Sequence, residues 1–178
     1  MAAAEWVRLE LDADAFAPGR FAAYGERARA GGVSFTTPDE LGDGPDERRR
    51  LFELNRECSA DIPGRGPFYA YEEYARLRFD APSYDPRGVV LARDGDVWIG
   101  MSATSDHRSS GCVFNEMTGV RAAYRGRGVS IAMKVLGVGF AGLCGVGRVR
   151  TVHHPANVRA IAMNRTLGYV DAEWDDGP

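Results

Sequence analysis

The sequence predicts an α/β domain. Two observations carry that reading: short runs in which apolar residues alternate with period two, and longer runs in which they recur with helical spacing. A third gives it a focus. Residues 117 to 134, Met-Thr-Gly-Val-Arg-Ala-Ala-Tyr-Arg-Gly-Arg-Gly-Val-Ser-Ile-Ala-Met-Lys, read as a strand that enters a tight loop of alternating Arg and Gly and then opens a helix. A helix start leaves backbone N–H groups without intrahelical partners and carries partial positive charge from the helix dipole. Gly126 and Gly128 remove side chains that would keep a pyrophosphate from those groups, while Arg125 and Arg127 add charge. The layout is that of an anion site, with a phosphate-bearing ligand as the expected occupant.

Taken in order, Trp6 to Leu11 alternates in strand fashion, and a helix follows through about Ala30, closed by Gly31-Gly32. Val33 to Thr37 is a short strand. Pro45 to Cys58 reads as an amphipathic helix with Leu51, Phe52, Leu54 and Cys58 inward, and Asp61 to Pro67 is a loop by composition. A short helix over about Tyr71 to Arg78 ends before Pro82. Gly88 to Ala92 and Val97 to Ala103 form a hairpin about Asp94-Gly95-Asp96. The strand 112 to 120 precedes the Arg-Gly loop, and the helix from about Gly128 to Cys144 ends at Gly145. Arg148 to Val152 is a further strand, and Asn157 to Leu167 a helix stopped by Gly168. There is no internal repeat.

With 178 residues, 44% of them apolar, the chain is long enough for one domain with a sizeable core, and a second full domain is not expected. Cys58, Cys112 and Cys144 are odd in number and widely spaced, which suits buried thiols in a reducing compartment. No signal-like start and no run near the roughly 20 apolar residues of a membrane span is present, so a cytoplasmic location without membrane partners is expected. Lys134 is the only lysine against 21 arginines, a bias that points to a GC-rich coding sequence. Net charge is −3, yet residues 1 to 90 carry 17 acidic and 12 basic side chains and residues 93 to 165 carry 10 basic and 4 acidic ones. Two readings stand: chance distribution of solvated faces, or a polyanionic ligand on the second half. Nucleic acid is not expected as a partner, since its binders show a net basic balance.

Strand, then Arg125-Gly126-Arg127-Gly128-Val129-Ser130 opening a helix, then a strand, then Asn157 and Asn164 on a helix closed by Leu167-Gly168-Tyr169, resembles the GNAT superfamily of acyl-CoA-dependent N-acetyltransferases. The resemblance covers roughly residues 47 to 174. Its Gln/Arg-x-x-Gly-x-Gly/Ala signature is met at Arg125 and Gly128, with Ser130 in place of the last small residue. It implies a mixed, mostly antiparallel sheet with helices on both faces and splayed central strands. On that reading residues 1–178 form a single domain, with a strand and helix extension over 1–44 and an acyl-CoA-binding core over 45–176.

The resemblance also implies a use for each part. The amides of Arg127, Gly128, Val129 and Ser130 hold the pyrophosphate of acetyl-CoA, with Arg125 and Gly126 shaping the loop. The strands 112 to 120 and 148 to 152 diverge, leaving backbone near Thr118, Gly119 and Val120 to pair with the pantetheine amides like an added strand. Asn157 and Asn164, two helical turns apart, reach the CoA arm from one helix face, or else serve only as local caps. Many family members carry a Tyr where Asn164 stands, credited with protonating the departing thiolate. Asn164 cannot act as an acid, which leaves Tyr169 or a water. The chain is short of the family's usual final strand pair, and the Trp6 to Leu11 strand is expected to cover that edge, within the chain or across a homodimer.

Acyl transfer to an amine needs a neutral amine, and therefore a base. Glu116, the only carboxylate between Asp106 and Asp171, lies on the strand that bears the thioester, and is either that base or an ordinary strand carboxylate paired with an Arg. His153 and His154 follow the facing strand and are either bases or strand-end residues. No cysteine is placed for an acyl-enzyme, so direct attack in a ternary complex is expected. Asp61, Arg65, Phe68, Tyr69, Tyr71, Glu72, Glu73 and Tyr74 either wall a pocket for a cationic or aromatic amine or form a packed and solvated helix. Gly137 to Gly142 spells G-x-G-x-x-G inside a helix, where packing explains it. No zinc spacing, P-loop or nucleophile elbow is present, and no metal is expected. The expected activity is amine acetylation of a small molecule. The alternatives are a non-catalytic acyl-CoA-binding or regulatory module, half of a tandem protein, or a protein N-acetyltransferase.

Overall fold

A computed structural model describes residues 6–174. Among the described residues, seven strands form one mixed, mostly antiparallel sheet: β1 (Val7–Asp12), β2 (Val33–Thr36), β3 (Val89–Asp94), β4 (Val97–His107), β5 (Cys112–Val120), β6 (Arg148–His153) and β7 (Val170–Asp171). Their order across the sheet is β2-β3-β4-β5-β6-β1-β7, and only β5 and β6 run parallel. The helices are α1 (Ala22–Ala30), α2 (Pro38–Leu41), α3 (Pro45–Cys58), α4 (Tyr71–Tyr74, continuing as a π turn to Phe79), α5 (Val129–Cys144) and α6 (Val158–Leu167).

Strand alternation sorts the core into two layers. Val89 and Leu91 of β3, Trp98 and Met101 of β4 and Met117 of β5 meet Leu51, Phe52 and Leu54 of α3 and Tyr74 of α4. Val90 and Ala92 of β3 and Ile99 of β4 point the other way, onto Ala28 of α1 and Val129 and Met133 of α5. On that same side Val138 and Ala141 of α5 pack with Val113, Val149, Leu167 and Tyr169. Cys58, Cys112 and Cys144 are buried free thiols, and burial raises the Cys58 pKa to about 11.

β1 covers the edge of β6, as the sequence reading expects, and it does so within the chain. β1 pairs antiparallel with β6 from Val7↔His153 to Asp12↔Arg148, and on its other side with β7 through Leu9↔Asp171 and Glu10↔Val170. Leu9 is fully buried there.

Three features depart from the sequence reading. β4 runs on to His107 rather than stopping at Ala103, because its continuation buries polar Thr104 and Ser105, which hides the apolar alternation. The short helix α2 was not expected, although Thr37 and Glu40 form a capping box: the Glu40 amide donates to Thr37 Oγ1 at 3.2 Å and the Thr37 amide to Glu40 Oε2 at 3.1 Å. β7, two residues long, is too short to show a period.

Candidate functional site

β5 is held on one side and released on the other. Toward β4 it is paired along its length, from His107↔Cys112 to Gly100↔Val120. Toward β6 only Val113↔Val149 and Phe114↔Arg150 are in register. At the next residue the Thr151 hydroxyl donates to the Asn115 carbonyl at 3.0 Å, a side-chain bond closing the apex. Beyond it the strands part around a cavity of about 700 Å³, lined by Thr118, Gly119 and Val120 on one side and by His153, His154 and Asn157 on the other. The released backbone of β5 is free to pair with an extended amide chain. Gly119 has to be glycine, since a Cβ there would meet Cys58 Cβ at 2.7 Å.

The loop 125–130 forms one end of this cleft. Gly128 sits at φ +78° at the start of α5, and a Cβ on it would also strike the Tyr24 ring at 2.6 Å. Among the described residues, the amides of Gly126, Arg127, Gly128, Val129 and Ser130 have no intramolecular acceptor, the condition for anion binding at a helix start. The two arginines shape the loop. Arg125 Nε donates to the Val120 carbonyl at 3.0 Å and its Nη1 to Asp61 Oδ2 at 2.6 Å, while Arg127 Nη2 donates to the Ala123 carbonyl at 3.1 Å.

Polar groups crowd the apex on the α5 side. Asn115 Nδ2 donates to Ser102 Oγ at 3.2 Å and Thr104 Oγ1 at 3.2 Å, and its Oδ1 accepts from Thr118 Oγ1 at 3.1 Å and Lys134 Nζ at 2.7 Å. Lys134 also lines the cleft and is buried, which lowers its pKa to about 7. Sequence reading gave Lys134 no role; its position four residues after Ser130 on α5 was the available signal. His153, pushed down to about 4 by burial and then by the nearby Lys134 charge, is neutral at pH 7 but too weakly basic to be poised there as a base.

The two asparagines part company. Asn157 lines the cleft at the start of α6, whereas Asn164 is fully buried and its Nδ2 donates to His153 Nε2 at 2.7 Å. Asn164 therefore positions His153 rather than facing the cleft. Tyr169 is likewise buried and does not line the cleft; its hydroxyl is held well above the usual phenol range by burial. An acid role for Tyr169 has no geometric support, because the residue after α6 packs inward with Leu167.

On the opposite face stands Glu116. The β4–β5 register shifts between Ala103 and Thr104, leaving Glu116 as an extra residue without a partner on β4. The bulge turns its carboxylate toward α4: Oε1 accepts from Ser105 Oγ at 2.7 Å and Oε2 from Arg78 Nη1 at 3.0 Å. Glu116 lines both the cleft and a second cavity of about 80 Å³ walled by Asn55, Tyr74, Phe79, Tyr84 and Met101. In that wall Asn55 Nδ2 donates to the Tyr74 hydroxyl at 2.7 Å, and Asn55 Oδ1 is buried with no partner among the described residues. Of the residues expected to wall an amine pocket, Arg65 and Tyr74 line the small cavity and Asp61, Arg65 and Tyr69 line the cleft, while Phe68 packs into the core. Glu72 and Glu73 line neither: they lie in the first turn of α4 facing solvent, while Tyr71 packs on Phe52.

No family profile and no curated protein matches the chain. Solved structures do. A GCN5-related glucosamine N-acetyltransferase region of a fungal multi-domain β-N-acetylglucosaminidase is similar at TM-score 0.66 and 14% identity, over 94% of this chain and 20% of that one. A GCN5-related N-acetyltransferase from Sphaerobacter thermophilus is similar at TM-score 0.64 and 19% identity, over 94% of this chain and 48% of that one. An aminoglycoside N-acetyltransferase in complex with CoA gives 0.60 and 18%, over 82% of this chain and 93% of that one. The chain thus spans about a fifth and about half of the length of the first two. Its fold is that of the GCN5-related N-acetyltransferases.

Proposed function

We propose that the chain transfers an acetyl group from acetyl-CoA to an amine of a small molecule, by direct attack in a ternary complex in the cytoplasm. The observation that carries this reading is the split of β5 from β6, with unpartnered amides at one end and Glu116 at the other. The loop amides of residues 126–130 receive the pyrophosphate, and the free backbone at Thr118 and Gly119 aligns the pantetheine arm. Glu116, shared by cleft and small cavity, takes the proton from the incoming amine, and the side-chain oxygen Oδ1 of Asn55 offers that amine an acceptor. The aromatic wall of Tyr74, Phe79 and Tyr84 suits a small head group carrying positive charge. Such an activity needs no metal in this reading.

Calorimetric titration with acetyl-CoA tests the proposal. Saturable binding by the natural chain, weakened about 100-fold or more in Gly128→Asp, supports it, since a carboxylate at a strained left-handed position repels the pyrophosphate. No binding by the natural chain overturns it. Binding without turnover on any amine would favour a non-catalytic acyl-CoA-binding module, a reading suggested by the burial of Asn164 away from the cleft.

A further inference from the structure

Lys134, the single lysine of the chain, is buried, and among the described residues no opposite charge balances it. Its Nζ donates to Asn115 Oδ1 and stands 5.1 Å from the centre of the Tyr169 ring. The titratable groups that face it are His153 from β6 and Tyr169 after α6, and burial keeps both neutral. From β4 and β5 it is approached through Ser102, Asn115 and Thr118, none of which carries charge. Among the described residues no carboxylate perturbs it, and desolvation alone moves its titration. A buried amine of this kind is costly as a cation, and a methionine would fill the same space without that cost.

The position of Lys134 says what the amine faces. Ser130 and Lys134 are four residues apart, so they share one stripe of α5 with a rise of about 6 Å between them. Ser130 belongs to the loop of unpartnered amides, and the Lys134 side chain carries its amine on to the apex where β5 and β6 separate. A ligand with its pyrophosphate on the loop and its arm between the strands has its far end at that amine. For coenzyme A the far end is sulfur, which becomes an anion only as the acyl group leaves.

We propose that Lys134 is a catalytic residue that pairs with the departing coenzyme A sulfur and protonates it. This rests on the acyl-transfer reading above. The amine nitrogen attacks the thioester carbon, the C–N bond forms, and the C–S bond breaks with its electron pair going to sulfur. The Lys134 ammonium gives that sulfur a proton and becomes a neutral amine, while the proton shed by the substrate nitrogen goes to Glu116. Solvent protons reload Lys134 once the products leave the cleft. In reverse, a bound free thiol hands its proton to the neutral lysine, and the resulting thiolate is visible by its ultraviolet absorbance.

The test uses coenzyme A itself as the probe and needs no acceptor. Coenzyme A is bound to the natural chain and to Lys134→Met, calorimetry verifies saturation, and thiolate absorbance is followed from about pH 6 to pH 9, around the ordinary thiol value. The expected result is a bound thiol that ionises about one pH unit or more below free coenzyme A in the natural chain, and at or above the free value in Lys134→Met. Asn115 Oδ1 keeps its bond from Thr118 in the variant, so no buried acceptor is orphaned. Equal titration in the two proteins, with binding intact, overturns the role of Lys134 and leaves the acyl-transfer reading standing. Absence of coenzyme A binding by the natural chain overturns both. Should the variant fail to fold, the natural chain decides alone: a bound thiol that titrates no lower than free coenzyme A refutes the pairing.

Discussion

The two faces of β5 at the split are built on opposite principles. Toward α5, Asn115, Thr118, Lys134 and Thr151 form a hydrogen-bonded polar knot around a single amine. Toward α3 and α4, Glu116 emerges from a bulge beside an aromatic wall in which an asparagine oxygen lacks a partner. A bulge of one residue produces the contrast, because it turns Glu116 to the face of Met117 and leaves Asn115 and Thr118 on the other. Glu116 of β5 and Lys134 of α5 thereby stand on opposite faces of the same strand, each with its own hydrogen-bond partners.

The contrast can be broken from either face. The largest effect is expected for Glu116→Gln, which should lower amine-dependent CoA release at neutral pH by about 10²–10⁴-fold while leaving acetyl-CoA affinity nearly unchanged, measured by steady-state thiol release and calorimetry. Unchanged turnover would assign the base elsewhere. Leu9→Ala, which empties a fully buried site where β1 supports β6, should cost about 2–5 kcal/mol in urea unfolding. A cost near zero would mean that β1 is not integral to the sheet.

Lys134 sharpens the comparison through pH. Its folded pKa near 7 lies below its unfolded value, so between pH 7 and about 10 the unfolded chain binds more protons and stability rises with pH. Cys58, raised by burial, works the other way above its own unfolded pKa. Between pH 7 and 8.5 the natural chain should therefore gain about 2 kcal/mol relative to Lys134→Met, followed by urea titration at each pH. A parallel pair of curves would place the lysine in water. The smallest effect belongs to Thr151→Val, where losing the apex hydroxyl should cost about 1 kcal/mol and speed hydrogen exchange at the apex more than elsewhere.

The loop 125–130 and the strands on either side were legible because glycine, arginine and apolar periodicity are local signals. The bounds of β5 and the end of α5 at Cys144 follow from the same patterns. What escaped was set by tertiary contact. The last four residues of β4 are polar, with Thr104 and Ser105 buried, so no period marks them; Glu72 and Glu73 look like a pocket wall until the short α4 turns them outward. Asn157 and Asn164 share a helix and a spacing, yet one lines the cleft and the other lies beneath it against His153. Lys134 reads as a composition oddity in the sequence because burial, which gives it its chemistry, is a property of the whole sheet.

β1 has a consequence for how the sheet is reached. Its partners, residues 148–153 and 170–171, lie some 140 to 160 positions further along the chain. During synthesis the first strand emerges long before anything it can pair with, and β6 has an open edge until β1 comes back to it. Contacts of such long sequence separation make folding slow and leave unpaired strand edges exposed on the way. A chain growing from the ribosome should therefore hold its α3–β3–β4–β5 hairpins early, and complete the cleft last.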